Sequence, residues 1–218
     1  MLRTGDVAKV EAAITNRRLL TITTCADPAG ERDAIHEILA RFLEAAGRGA
    51  LYDRVSYCIH ELASNARRAN TKRVYFREKR LDIHRETDYW VGMRTFRDET
   101  SRRSDHYAEA LRHSGLTIKV QFRLGEEALR VAVRNNVRLT SFEREKMEEK
   151  IARGRRYDST ADAYAGIEES SEGAGLGIAM MIIMLRDQDA CGSTIRFFAN
   201  DRETYAIISI PTPGSGRD

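Results

Sequence analysis

Glu61-Leu-Ala-Ser-Asn-Ala-Arg-Arg-Ala-Asn70 decides how the rest of this chain is read. Upstream and within it, Val55, Ile59, Leu62 and Ala66 recur at helical steps, so one stripe faces a core. Glu61 and Asn65 lie one turn apart on that helix and project the same way. A carboxylate suited to orienting or deprotonating a hydroxyl thus sits beside an amide oxygen suited to a hard cation such as Mg²⁺.

Far downstream, Gly173-Ala-Gly-Leu-Gly177 opens the apolar run Ile178 to Leu185. Bare backbone N–H groups at the start of a helix are the usual means of cradling phosphate. That pairing suggests a nucleotide site. Between and around these motifs, Leu19 to Thr24 reads as a strand from its β-branched content. A helix follows, with Asp27 as its cap, the stripe Ile35, Ile38, Leu39 and Phe42, and a stop at Gly47/Gly49. The helix bearing Glu61 and Asn65 is expected from Leu51 to Ala69, with a short strand at Lys72–Phe76 directly behind it.

Residues 78–114 are dense in charge and read as inserted helices. Tyr89, Trp90, Met93 and Phe96 recur there at helical steps and are expected to pack on the sheet or against a partner. Leu116–Leu124 and Ala128–Asn135 form a hairpin. Leu129, Val131 and Val133 alternate with polar residues, and Asn135 shares the parity of the buried side chains. Residues 139–172 begin as a helix, Phe142 to Ala152, and become a loop. Thr194–Phe198 and Tyr205–Ile210 close the chain as a second hairpin. This order predicts an α/β fold, a two-layer α+β sandwich with a mixed β-sheet, helices on one face and a helical insertion.

The 218 residues carry 36 basic and 33 acidic side chains, a formal charge of +3 that gives no reason to invoke nucleic acid. Cys25, Cys58 and Cys191 are odd in number and far apart, so neither a disulfide framework nor a zinc site is indicated. The first 18 residues lack the apolar core of a secretory signal, and the apolar run is far short of the ~20 residues a membrane span requires. A cytoplasmic protein with no membrane contact is expected.

The chain resembles the GHKL ATPase superfamily, whose members carry an E-x-x-x-N-A helix box and a later G-x-G-L-G box. The likeness covers about Leu19 to Pro211, with residues 1–18 as an N-terminal arm and 212–218 as a frayed tail. The short lead-in looks most like the anti-sigma-factor serine kinases or a detached histidine-kinase catalytic domain. The resemblance implies a Bergerat-type fold binding ATP and Mg²⁺. It implies Asn65 on the metal and Glu61 as the catalytic carboxylate, and Arg68, one turn beyond Asn65, is placed to meet a phosphate oxygen. Gly173, Gly175, Leu176 and Gly177 would wrap the phosphates, and 140–172 would be the ATP lid.

The first glycine box departs from the pattern. The family has D-x-G-x-G, and this chain has Asn135-Asn136-Val137-Arg138-Leu139. The Asn135 oxygen still accepts from the adenine amino group, but without a charge-assisted bond, a change worth about 1–2 kcal/mol or roughly tenfold in affinity. Val137 and Leu139 add side chains where the family keeps backbone bare. His36 reads as an exposed helix histidine, since the following Ile-Leu-Ala lacks the arginine and proline of the family's phosphoacceptor box. The expected function is an ATP-binding regulatory domain acting on a protein partner in bacterial signalling, by phosphotransfer or by nucleotide-gated binding. The alternative is a non-catalytic interaction module that keeps the fold and has lost nucleotide. Whether the chain is an enzyme, and whether it forms a homodimer, stay open at this point.

Overall fold

A computed structural model of the protein describes residues 4–25, 29–165, 176–186, 190 and 192–214. In chain order the elements begin α1 (Thr4–Thr15), β1 (Leu20–Thr24), α2 (Ala29–Ala45), α3 (Tyr52–Glu78), α4 (Glu86–Arg102) and α5 (Ser104–His113). They continue β2 (Ile118–Leu124), β3 (Ala128–Asn135), α6 (Ser141–Arg156), α7 (Thr160–Ala165), α8 (Leu176–Arg186), β4 (Thr194–Ala199) and β5 (Thr204–Pro211).

The five strands form one sheet in the order β1-β2-β3-β5-β4. Alternation sends Ile118, Val120, Phe122, Leu129, Val131, Val133, Ala206, Ile208 and Ile210 to one buried face. Lys119, Arg123 and Arg130 emerge on the other, in solvent. Helices α1, α2, α3 and α8 pack on the apolar face, which makes the expected two-layer sandwich. The expectation of a mixed sheet is refined, because every strand pair is antiparallel. The registers give the reason. Thr24 at the end of β1 lies opposite Ile118 at the start of β2, and Asn135 at the end of β3 lies opposite Thr204 at the start of β5. The excursion after β1 therefore returns the chain to the end of the sheet it left, whereas the one after β3 enters β4 at the opposite end, and the β4–β5 hairpin then brings β5 back antiparallel to β3.

Two sequence expectations are corrected. Lys72–Phe76 is not a strand: α3 continues through it, because Asn70 and Val74 extend the stripe of Leu62 and Ala66 at the same period. The aromatic patch of the insertion does not lie on the sheet. Tyr89 and Phe96 instead join Val74, Tyr75, Phe76, Tyr107 and Leu111 in a second core made by the end of α3, α4 and α5. The Tyr75 and Thr95 hydroxyls are 2.8 Å apart. A Cβ at Gly92 would lie 2.5 Å from Phe76 Cζ, so the helices approach too closely there for any side chain.

The N-terminal segment contributes to the main core through Val10 and Ala13 on α1, beyond the role of an arm. Gly47 does stop α2. At φ +64° it lets the Arg48 and Gly47 N–H groups donate back to the Leu43 and Glu44 carbonyls, a Schellman ending. Arg17 and Arg80 hold the same left-handed place after α1 and α3. The Asp27 cap lies outside the described residues.

Candidate functional site

Helix α3 leads past the N-terminus of α8, and this crossing brings Glu61 of the first motif to Gly177, the last residue of the second. Gly177 lies in the first turn of α8, and a Cβ there would collide with the Glu61 carboxylate. Only a hydrogen side chain leaves that carboxylate its place, and a negative group is favoured at the positive end of a helix. The Glu61 charge is felt around it. Burial first, and Glu61 second, push the Tyr57 phenol up to about 12 and the Cys58 thiol up to about 12. Cys58 is thereby kept as a neutral, unreactive thiol.

Beyond that contact lies a cavity of about 940 Å³, within the range of small-molecule sites. Asn65, Arg68, Asn135 and Ile178 line it, so α3, the end of β3 and the start of α8 contribute to one space. Of the expected site residues, Glu61, Asn65, Arg68, Asn135, Leu176 and Gly177 are described, while Gly173 and Gly175 fall outside the described residues. Asn65 and Arg68 are exposed.

Asn135 is 5% exposed. Its Nδ2 donates to the Ala66 carbonyl at 3.3 Å, which fixes the amide's orientation. Its Oδ1 is buried with no hydrogen-bond partner among the described residues. An acceptor left unpaired costs about 1–3 kcal/mol, so it is a position where a donor from a ligand would be welcome. Val137 is buried beside it, and Val137 and Leu139 both line the cavity without closing it.

The cavity wall is basic. Arg67, Arg68, Lys72, Arg94, Arg97, Lys146 and Lys150 line it against Asp98 and Glu143 alone. Burial would raise the Glu143 carboxyl, but hydrogen bonds from Arg73, with Arg73 and Lys72 charges beside it, hold it down at about 2. Glu143 also completes a capping box with Thr140 at the start of α6. Arg73 in turn donates to the Arg138 carbonyl at 2.6 Å. The strand-to-helix passage beside the cavity is thus clamped to α3.

The segment expected as a lid is, in its first part, a docked helix. At Gly154 a Cβ would come within 2.8 Å of Ala179 Cα, so α6 lies close on α8. Residues 166–172 of that segment lie outside the described residues.

Sequence reasoning passed over Asn70 and the aromatic wall. Asn70 is fully buried, one turn beyond Ala66, and neither amide atom has a hydrogen-bond partner among the described residues. The signal was available, since Asn70 occupies an apolar position of the Leu62–Ala66–Val74 stripe. The wall formed by Trp90, Met93 and Phe96 was not foreseeable without knowing that α4 folds back over α3. Among the described residues no group of three or more acidic, His or Cys side chains is placed to hold a metal, and no helix is long and apolar enough to cross a membrane.

No family model matches the chain. An uncharacterized protein of Treponema pallidum (strain Nichols) is 35% identical over 206 residues, which is 94% of this chain and 40% of the length of that relative. The chain therefore spans well under half of the curated relative it matches. Among solved structures, the SiaB–SiaC complex from Pseudomonas aeruginosa has a chain similar to this one. That likeness has a TM-score of 0.46 and 15% identity over 97% of this chain and 99% of that one.

Proposed function

We propose that this chain is a GHKL-type nucleotide-binding regulatory domain that takes ATP with Mg²⁺ and acts on a protein partner. The observation that carries this reading is the meeting of Glu61 with Gly177 at the head of α8, beside a cavity lined by Asn65 and Asn135. Two motifs far apart in sequence have no structural need to touch, and a nucleotide site requires it.

The residues present fit such a ligand. The cavity has the volume, its wall is strongly basic, and Asn135 Oδ1 is a buried acceptor for an amino group. Asn65 would supply the protein oxygen on Mg²⁺, which retains waters elsewhere. Arg68 would meet phosphate oxygens, with the N–H groups of Gly173, Gly175, Leu176 and Gly177 around them. Bound ATP would supply a transferable phosphoryl group. Glu61 is suited to orient an acceptor hydroxyl and take its proton. Without an acceptor in place, the same occupancy would gate partner binding.

The second reading, an interaction module without nucleotide, is favoured by buried Val137 and by Leu139 on the cavity wall. Calorimetric titration with Mg-ATP separates the two. The proposal expects saturable binding whose Mg²⁺-dependent part disappears in Asn65→Ala with the fold intact. Absence of binding to the unaltered chain would establish the interaction module.

A further inference from the structure

A second, smaller hollow of about 250 Å³ lies between α2 and α3, on the flank of α3 away from the head of α8. Its floor is apolar, built by Ile35, Leu39, Ile59 and Ala63. Its polar lining is Arg32, His36, Ser56, His60, Ser64 and Arg67. That polar rim contains no carboxylate. Every polar group there is cationic, can become cationic, or is a hydroxyl, so the ligand it suits is an anion rich in acceptors.

His36 is positioned for that role. Its Nδ1 lies 3.0 Å from the Tyr52 hydroxyl and 3.1 Å from Ser56 Oγ, both on α3. In the tautomer in which Nδ1 accepts from one of those hydroxyls, the ring proton resides on Nε2, which is then a donor of fixed direction. Arg67 makes no side-chain hydrogen bond or ion pair among the described residues. Guanidinium is the group best shaped to grip a tetrahedral oxyanion through paired N–H donors. Ser64 and Arg67 also line the larger cavity, so one strip of α3 borders both spaces.

We propose that the α2–α3 hollow is a binding site for a phosphoryl group, separate from the nucleotide cavity and sharing the Ser64–Arg67 strip with it. Inorganic phosphate and a phosphorylated side chain of a protein partner offer the same chemistry. The experiment uses the full chain without nucleotide and follows the histidine ring resonances by NMR. It is titrated with inorganic phosphate, with a phosphoserine peptide and with the unphosphorylated peptide.

The His36 and His60 signals are expected to shift saturably with the first two probes and not with the third. Arg67→Gln, an exposed substitution, is expected to weaken both roughly tenfold or more. A tighter phosphopeptide identifies a modified partner as the source, and equal or weaker binding identifies free phosphate. Retention of the shifts in Arg68→Gln, which removes the phosphate-facing cation of the larger cavity alone, places the ligand outside the nucleotide cavity, whatever the outcome of the ATP titration. No saturable shift at His36 and His60, an unchanged affinity in Arg67→Gln, or loss of the shifts in Arg68→Gln would overturn the proposal.

Discussion

The two halves of α3 are held in different ways. Its first half sits on the sheet through Val55, Cys58, Ile59, Leu62 and Ala66, inside an aliphatic core that runs on into β2, β3 and β5. Its second half has left the sheet and is gripped by rings. Tyr75 meets Phe96 edge-on at 5.4 Å and Tyr107 at 6.2 Å, and Phe76 lies 6.1 Å from Tyr89. Around that cluster run exposed pairs, Lys79–Glu99 and Arg103–Glu78–His106, which pull the Glu78 and Glu99 carboxyls below their ordinary range. Exposed pairs of this kind add little to stability, so the rings carry the second half. The candidate site residues Glu61, Asn65 and Arg68 all fall on or next to the sheet-bound half.

The largest test of that division is Phe76→Ala, which should cost about 3–5 kcal/mol through the void left among the rings. Hydrogen exchange should then show α4 and α5 losing protection while β2 and β3 keep theirs. Equal loss in both would show that the two halves of α3 are one cooperative unit.

Next is the clamp that ties the second half to the cavity rim. Glu143 is held at about 2, below the ordinary carboxyl value of 4.5. A depressed folded-state value means stability that is present above about 4.5 and is lost as pH falls toward 2, to the extent of about 3 kcal/mol. Glu143→Gln should be less stable at neutral pH and lose less stability across that window, the remaining slope coming from carboxyls such as Glu78 and Glu99. An acid titration of melting temperature with the same slope in both proteins would remove the clamp from the comparison.

The smallest effect belongs to the first half. Gly177→Ala should cost about 1–2 kcal/mol by displacing the Glu61 carboxylate. In a Glu61→Ala background the same change should turn favourable by up to about 1 kcal/mol, since alanine suits a helix better than glycine. Denaturant unfolding of the four proteins measures the coupling, and additive effects would mean that Glu61 and Gly177 do not constrain each other.

Much of the sheet-bound half was legible. The strands announced themselves by alternation, and the parity that buried Leu129, Val131 and Val133 also buried Asn135. The Glu61–Asn65 turn followed from helical spacing alone. The second half was misread because Val74-Tyr-Phe76 is as rich in β-branched and aromatic residues as a strand, and only burial against α4 and α5 decides for helix. Antiparallel pairing was hidden as well, because no local signal tells at which end of a sheet a long excursion returns. The basic cavity wall draws on α3, α4 and α6 together, and charges assembled from three helices form no pattern along the chain.

Helix α3 runs for 27 residues without a glycine or a proline, a rod about 40 Å long. A rod with no joint does not absorb displacement; it passes it on. Anything that rocks α4 and α5 would tilt the same body that carries Glu61 and Asn65, and an ångström at Phe76 would reappear, geared by leverage, at the head of α8. The insertion is therefore a handle as much as a graft.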